Sequence, residues 1–186
     1  LGVEKRVLDW VGKDYGLHPD SGEIYCCEYK SRYDGEITDQ PDWSVLLADT
    51  KNWLHDADGL GIVELYAMKN GAALERKAKE VFSEHYSFPI VCGHELFSEL
   101  NSLQRGASTL LNAKLVPVIH EFLTAIKSVL SQKGIGAPIV IVRSDGTLMS
   151  ETFSRMRPVE TILCGPAASV LGGAHLTDER DSMIVD

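Results

Sequence analysis

Three short apolar runs constrain this chain more than any other feature: GLGIVELY, FPIVCG and APIVIVRSDG are too short for helices and rich in Val and Ile. Runs of that kind, closed by turn residues, read as buried strands. Between them lie stretches with apolar residues at helical spacing. Ala72 to Glu84 carries Leu74, Ala78, Val81 and Phe82 on one face, and the region from His94 to Gly134 carries Leu111, Leu115, Ile119, Phe122, Ile126 and Val129. Strands that alternate with helices pack as βαβ units, so the chain is expected to be α/β, with a largely parallel sheet flanked by helices.

The segments before the first run follow the same logic. A helix from Val3 to Tyr15 should stop at Gly16, EIYCCEYKSRYDGEI should be extended with a turn at Asp34-Gly35, and PDWSVLLADTKNWLHDADG suits an amphipathic helix ending at Gly59. Pro117 sits inside the long helical pattern, where it should kink the helix or mark a junction between two segments.

The net charge is -9 and no Lys/Arg cluster stands out, which argues against a binder of nucleic-acid phosphates. No run approaches the roughly 20 consecutive apolar residues that cross a bilayer, and LGVEKRVLDW lacks a signal-peptide core, so a cytoplasmic protein without a membrane partner is expected. None of the four cysteines falls in a C-x-x-C spacing, and Cys26 and Cys27 would face opposite sides of a strand; reduced thiols are expected. The six histidines show no metal-binding spacing. His94 lacks the second His of a zinc helix and is read as opening the long helical region.

Parallel α/β sheets bind ligands beyond the carboxyl ends of their strands, which singles out Ser144, Asp145 and Gly146 after the third run. Turn chemistry alone also explains Asp145-Gly146. A second feature is the helix from Gly165 to Ala174, built almost wholly of Gly, Ala, Ser and Pro. Interior glycines cost a helix about 1 kcal/mol each relative to Ala. They are tolerated where the backbone approaches something closely, either a phosphate at the helix N-terminus near Gly165 and Pro166 or a neighbouring helix.

RPVETILCGPAASVLGGA, a short loop and MIVD together resemble a region of the hydantoinase/5-oxoprolinase family, of the hydantoin-utilisation protein A type. There, R-P-V-x-T-x-x-S-G-P-A-A-G-V-x-G-A precedes a D-x-G-G-T phosphate loop. GHELFSELNSLQRGASTLLNAKLVPVIHEFL resembles the family's H-E-x-x-x-E-x-x-x-R-x-S-T-x-x-N-A-x-L-x-P segment, and IVRSDGTL resembles its strand ending in S-D-G-G. The resemblance covers residues 20–186 and is strongest over 86–186. There are departures: Cys164 and Ser169 replace Ser and Gly, Thr147 replaces the second Gly, and the spacing around Arg105 is altered. Gly165 stands where Hsp70-type proteins carry a Glu that assists the attacking water.

The resemblance implies part of an actin-like/ribonuclease H-like ATPase lobe. Residues 1–85 would hold the N-terminal helix, the extended segment and the first strand–helix unit. Residues 86–175 would hold a strand–helix–strand and the connecting helix, and 176–186 would start a second lobe with a strand from Met183. The parent protein would use Mg-ATP to phosphorylate a carbonyl oxygen of a cyclic amide before ring opening, with a second subunit of the hydantoinase B type. Asp186 would open a phosphate loop, as a catalytic and metal-holding residue. Gly165 and Pro166 would lie on the nucleotide side, and Ser144, Asp145 and Gly146 on the substrate side, with Asp145 reaching substrate or a Mg-bound water. Neither family phosphate loop occurs in these 186 residues. The chain is therefore expected to be an internal segment that binds no cofactor and hydrolyses no ATP by itself. Other readings are a ketone carboxylase subunit of the same family, an actin-like reactivase acting on a protein partner, and a lobe that only supports a site made elsewhere.

Overall fold

The computed structural model describes residues 1–177 and 183–185. The chain divides into two compact units, Leu1–Lys114 and Leu115–Asp186.

In the first unit, α1 (Lys5–Val11) tightens into a 3-10 turn over Gly12–Tyr15 and stops at Gly16, whose φ of 71° is left-handed as a helix stop requires. The extended segment leads to an antiparallel hairpin of β1 (Lys30–Ser31) and β2 (Ile37–Asp39), closed by Gly35 at φ 97°. The helix α2 (Trp43–Thr50) begins where Asp42 accepts the amides of Ser44 and Val45. Next come β3 (Leu60–Ile62), a short α3 (Ala67–Asn70), α4 (Ala73–Ser83) and β4 (Ile90–Cys92). β3 and β4 are parallel, with Leu60 opposite Ile90 and Ile62 opposite Cys92, and α4 makes the crossover. This βαβ unit holds the main core, in which Leu46, Leu54, Leu60, Ile62, Ala78, Phe82, Ile90 and Cys92 are buried together.

A single-turn α5 (Gly93–Leu96) precedes α6 (Ser102–Gln132), a 31-residue helix. It continues through Pro117, which therefore marks no junction between two helices. The buried residues of α6 are Arg105, Thr109, Asn112, Ala113, Val116 and Leu123. This corrects the expected face, since Leu111, Phe122 and Val129 are 43%, 57% and 51% exposed. The buried face mixes Arg105, Thr109 and Asn112 with Ala113, Val116 and Leu123, and its Arg105 guanidinium reaches backbone carbonyls. Gly61 of β3 lets Thr109 approach closely: a Cβ there would sit 2.9 Å from Thr109 Cγ2. By length and composition α6 would also suit a bilayer span, but Lys114, Glu121 and Lys127 interrupt its exposed surface, which membrane helices rarely permit.

The second unit contains an antiparallel hairpin of β5 (Val140–Val142) and β6 (Leu148–Ser150), then α7 (Glu151–Met156), a 3-10 turn at Pro158–Thr161 and α8 (Cys164–Leu176). Here the sequence reading fails twice. APIVIVRSDG was expected to form a buried parallel strand, yet Val140 is 53% exposed and the Asp145-Gly146 turn folds the chain straight back onto an unanticipated partner, β6. Among the described residues one strand pair of three is parallel, so the fold is α/β without a largely parallel sheet. Met183, Ile184 and Val185 form no strand among the described residues.

Among the described residues nothing crosses the small-residue helix α8 tightly. It has no fully buried residue, a Cβ on Gly165 or Gly172 would meet open space, and of its three glycines Gly173 alone is closely approached by a described residue, Ile184.

Candidate functional site

The residues expected to bind ligands in the second unit are arranged as follows. Asp145 caps the β5–β6 turn: its Oδ1 accepts the Thr147 amide at 3.0 Å and the Thr147 hydroxyl at 2.6 Å, and Arg143 lies 3.4 Å from Oδ2. The Thr147 hydroxyl and amide, and then Arg143, hold its carboxyl below the usual range. Ser144 donates its amide to the Glu160 carbonyl, and Gly146 takes φ 81°. The turn rests on α8, since a Cβ on Gly146 would lie 2.5 Å from Leu171 Cδ1. Gly165 and Pro166 are the second and third residues of α8, following Cys164, and both are exposed. The structure thus brings the turn against α8; a Cβ on Gly165 would meet open space among the described residues, and Pro166 has no amide to donate. Asp186 lies outside the described residues.

The denser constellation lies in the first unit, at the carboxyl ends of the two parallel strands, where folds of this class bind ligands. Glu64 follows β3 by two residues and is fully buried. Its Oε2 accepts the amides of Leu74 and Glu75 at 3.0 and 3.3 Å, so it caps the N-terminus of α4, where unpaired amides and the helix dipole favour an acidic group. Its Oε1 accepts from Asn70 Nδ2 at 2.5 Å and from the Tyr29 hydroxyl at 3.5 Å. Burial, and then the Glu64 charge, push the Tyr29 phenol up to about 12.

Glu75, also fully buried, answers reciprocally. Its Oε1 accepts the Glu64 amide at 2.8 Å, and its Oε2 accepts the His94 amide at 2.9 Å and lies 2.6 Å from His94 Nδ1. Each of the two carboxyl groups therefore ties the end of one strand to the start of α4. Cys92, the last residue of β4, donates its thiol to the Glu75 carbonyl at 3.4 Å; burial, and then Glu95 and Glu75, push this thiol up to about 12. Arg105, from α6, closes the cluster. Its Nη2 donates to the carbonyl of Glu64 at 2.6 Å and of Leu65 at 3.5 Å, and its Nη1 to those of Glu99 and Leu100 at 2.5 and 3.0 Å. Burial pulls its pKa below the usual value against the opposing pull of Glu75, Glu64 and Glu99. Two buried polar atoms here find no partner among the described residues: Arg105 Nε and Thr109 Oγ1.

A ring nitrogen held on a buried carboxyl fixes the imidazole's tautomer and orientation, and leaves Nε2 as the working edge for proton transfer. Sequence reasoning overlooked Glu64 and Glu75, passed over His94 and doubted Arg105. A signal was present: Glu75 falls on the same helical face as Ala78 and Phe82, and Arg105 on that of Thr109, Asn112 and Val116. A charged residue on a packed face must bring its own partners.

Residues 105–186 match the family model described as hydantoinase/oxoprolinase. Over 84 residues, 45% of its length, the chain is 32% identical to the caprolactamase subunit alpha of Pseudomonas jessenii, and over 104 residues, 55% of its length, 26% identical to an uncharacterized protein of Methanocaldococcus jannaschii. It spans only 12% and 15% of those two relatives, respectively. Among solved structures, the ATP-dependent caprolactamase of Pseudomonas jessenii superposes on 90% of this chain with a TM-score of 0.70 at 19% identity, using 27% of that structure's chain. A nucleotide-free acetone carboxylase superposes on 80% with a TM-score of 0.59 at 16% identity, using 21% of its chain. At those identities the two superpositions establish a shared fold.

Proposed function

Since this chain belongs, through residues 105–186, to the hydantoinase/oxoprolinase family, we propose that it is part of an ATP-dependent enzyme that opens cyclic amides. The carrying observation is the agreement of two comparisons on one relative: the caprolactamase gives both the 32% identical segment and the superposition with the higher TM-score of the two described. In this reading the whole protein activates a lactam carbonyl by phosphorylation, and water then opens the ring. A second subunit takes part, as the name of the caprolactamase subunit alpha suggests for that relative.

Neither family phosphate loop occurs in these 186 residues. Nucleotide binding then falls to other parts of the protein, and the chain by itself should not hydrolyse ATP. The part assigned to this chain is the rigid corner at the ends of β3 and β4, where His94, oriented by Glu75, presents Nε2 for proton transfer. The actin-like character of the lobe belongs to the same proposal; the parallel β3–α4–β4 unit supports it.

The acetone carboxylase superposition favours a second reading, ketone carboxylation. ADP release by the full-length protein separates the two. Release dependent on caprolactam-type lactams supports the first; release dependent on a ketone plus bicarbonate would replace it with the second, and release with neither class would sink both.

A further inference from the structure

Glu75 of α4, Cys92 at the end of β4 and His94 just beyond it each direct one ligand atom to a common place, and those three atoms lie within 4.8 Å of one another. We propose that Glu75, Cys92 and His94 form a binding site for a divalent cation of the zinc class. The inference does not depend on the functional reading above.

The donor set is the first argument. A thiolate, an imidazole and a carboxylate together suit a borderline-soft ion such as Zn²⁺ and not Mg²⁺ or Ca²⁺, which take oxygen donors. Spacing is the second. Cys92 ends β4 and His94 lies in the single turn of α5 that follows it, while Glu75 reaches both from α4. Tetrahedral coordination places neighbouring ligand atoms roughly 3.4 to 3.6 Å apart. The three ligand atoms now lie within 4.8 Å of one another, with His94 Nδ1 and Glu75 Oε2 at 2.6 Å, so tetrahedral spacing requires the closest pair to part and any wider pair to close by about 1 Å, within the reach of side-chain rotation.

A third observation points to a ligand independently. Three protein ligands leave a zinc-class ion one position for water. The buried Thr109 hydroxyl has no partner among the described residues. Thr109 Oγ1 and Glu75 Oε1 are 3.4 and 3.3 Å from the place a Cβ on Gly93 would occupy, so both border the same small space. A water on the ion would give that hydroxyl the hydrogen bond it lacks, and the glycine at 93 leaves the room. The surroundings are mixed in charge, with Glu64 and Glu95 acidic and Arg105 and Lys79 basic. On binding, the Cys92 S–H bond breaks, sulfur keeps the electron pair for the metal, and the proton passes to solvent.

Titrating the metal-depleted full chain with Co²⁺, an optical stand-in for Zn²⁺, tests this. The expected result is a thiolate-to-cobalt charge-transfer band that saturates at one ion per chain, with protons released in parallel. Cys92→Ser should abolish the band and His94→Gln should weaken binding by more than about tenfold. The double variant Cys26→Ser/Cys27→Ser, which leaves the site intact, should keep the band. Absence of the band in the unsubstituted chain overturns the proposal whatever the variants do. So does a band that survives Cys92→Ser or vanishes with Cys26 and Cys27. Far-ultraviolet circular dichroism checks that each variant remains folded.

Discussion

Replacing Arg105 by Met should remove a substantial part of the first unit's stability while leaving its core volume nearly unchanged. Met keeps the unbranched stem of Arg and loses the fork. The four carbonyls that the guanidinium holds do not lose equally. Those of Glu99 and Leu100 belong to exposed residues and can turn to water, whereas that of Glu64 belongs to a fully buried one. A charge-assisted hydrogen bond contributes about 1.5–3 kcal/mol, and a buried carbonyl left without a donor costs about 1–3 kcal/mol. The expected loss is therefore about 3–5 kcal/mol, a large fraction of the 5–15 kcal/mol typical of a domain. Arg105→Lys should lose about 2 kcal/mol, because a single ammonium cannot hold Glu64 and Glu99 at once. All three tryptophans, Trp10, Trp43 and Trp53, lie in the first unit, so urea unfolding followed by tryptophan fluorescence reports on it selectively. A shift in midpoint worth less than about 1 kcal/mol for Arg105→Met, at unchanged slope, would refute the reasoning.

Other consequences can be checked with the same protein. Glu64→Gln should cost about 1–2 kcal/mol in the same urea assay, since the amide is a weaker acceptor at the start of α4 and one of its two heads cannot accept at all. Gly146→Ala should lower the melting temperature followed by circular dichroism, through a left-handed φ of 81° worth about 1 kcal/mol and displacement of Leu171. Tyr29 should be the last tyrosine to ionise in an ultraviolet pH titration, near 12, and Tyr29→Phe should remove that final phase. Its folded pKa is raised, so its contribution to stability is complete below about pH 10 and drains away as pH climbs towards 12.

How much of this was legible in the sequence depended on whether local rules sufficed. The stop at Gly16, the turn at Asp34-Gly35, the strand at Leu60–Ile62 and the helix from Ala73 were readable because capping, turn chemistry and periodicity act over a few residues. APIVIVRSDG was misread because an apolar run does not declare which partner it will meet; the adjacent Asp-Gly turn, which decided the matter, was itself recognised. The face of α6 was misassigned because hydrophobicity was counted and satisfied polarity was not. Arg105 and Thr109 are buried beside β3 and its end, more than 40 residues away in the sequence, as the Arg105–Glu64 bond and the close approach of Thr109 to Gly61 show. The Glu64–Glu75–His94 cluster was invisible for the same reason, since it exists only once β3 and β4 lie parallel. The family motifs, by contrast, were local, and they led to the family that residues 105–186 match.

The central claim, that this chain serves an enzyme which phosphorylates a lactam carbonyl before opening the ring, is tested most directly by following one oxygen atom. The full-length protein, with the second subunit proposed for it, would be given Mg-ATP and a lactam carrying heavy oxygen in its carbonyl. If phosphorylation precedes hydrolysis, that oxygen becomes the bridge to phosphorus; one water opens the ring, expelling the amine and leaving an acyl phosphate, and a second water attacking the acyl carbon releases inorganic phosphate that carries the heavy oxygen. Ring opening with unlabelled phosphate, all the heavy oxygen remaining in the ring-opened acid, would contradict the account.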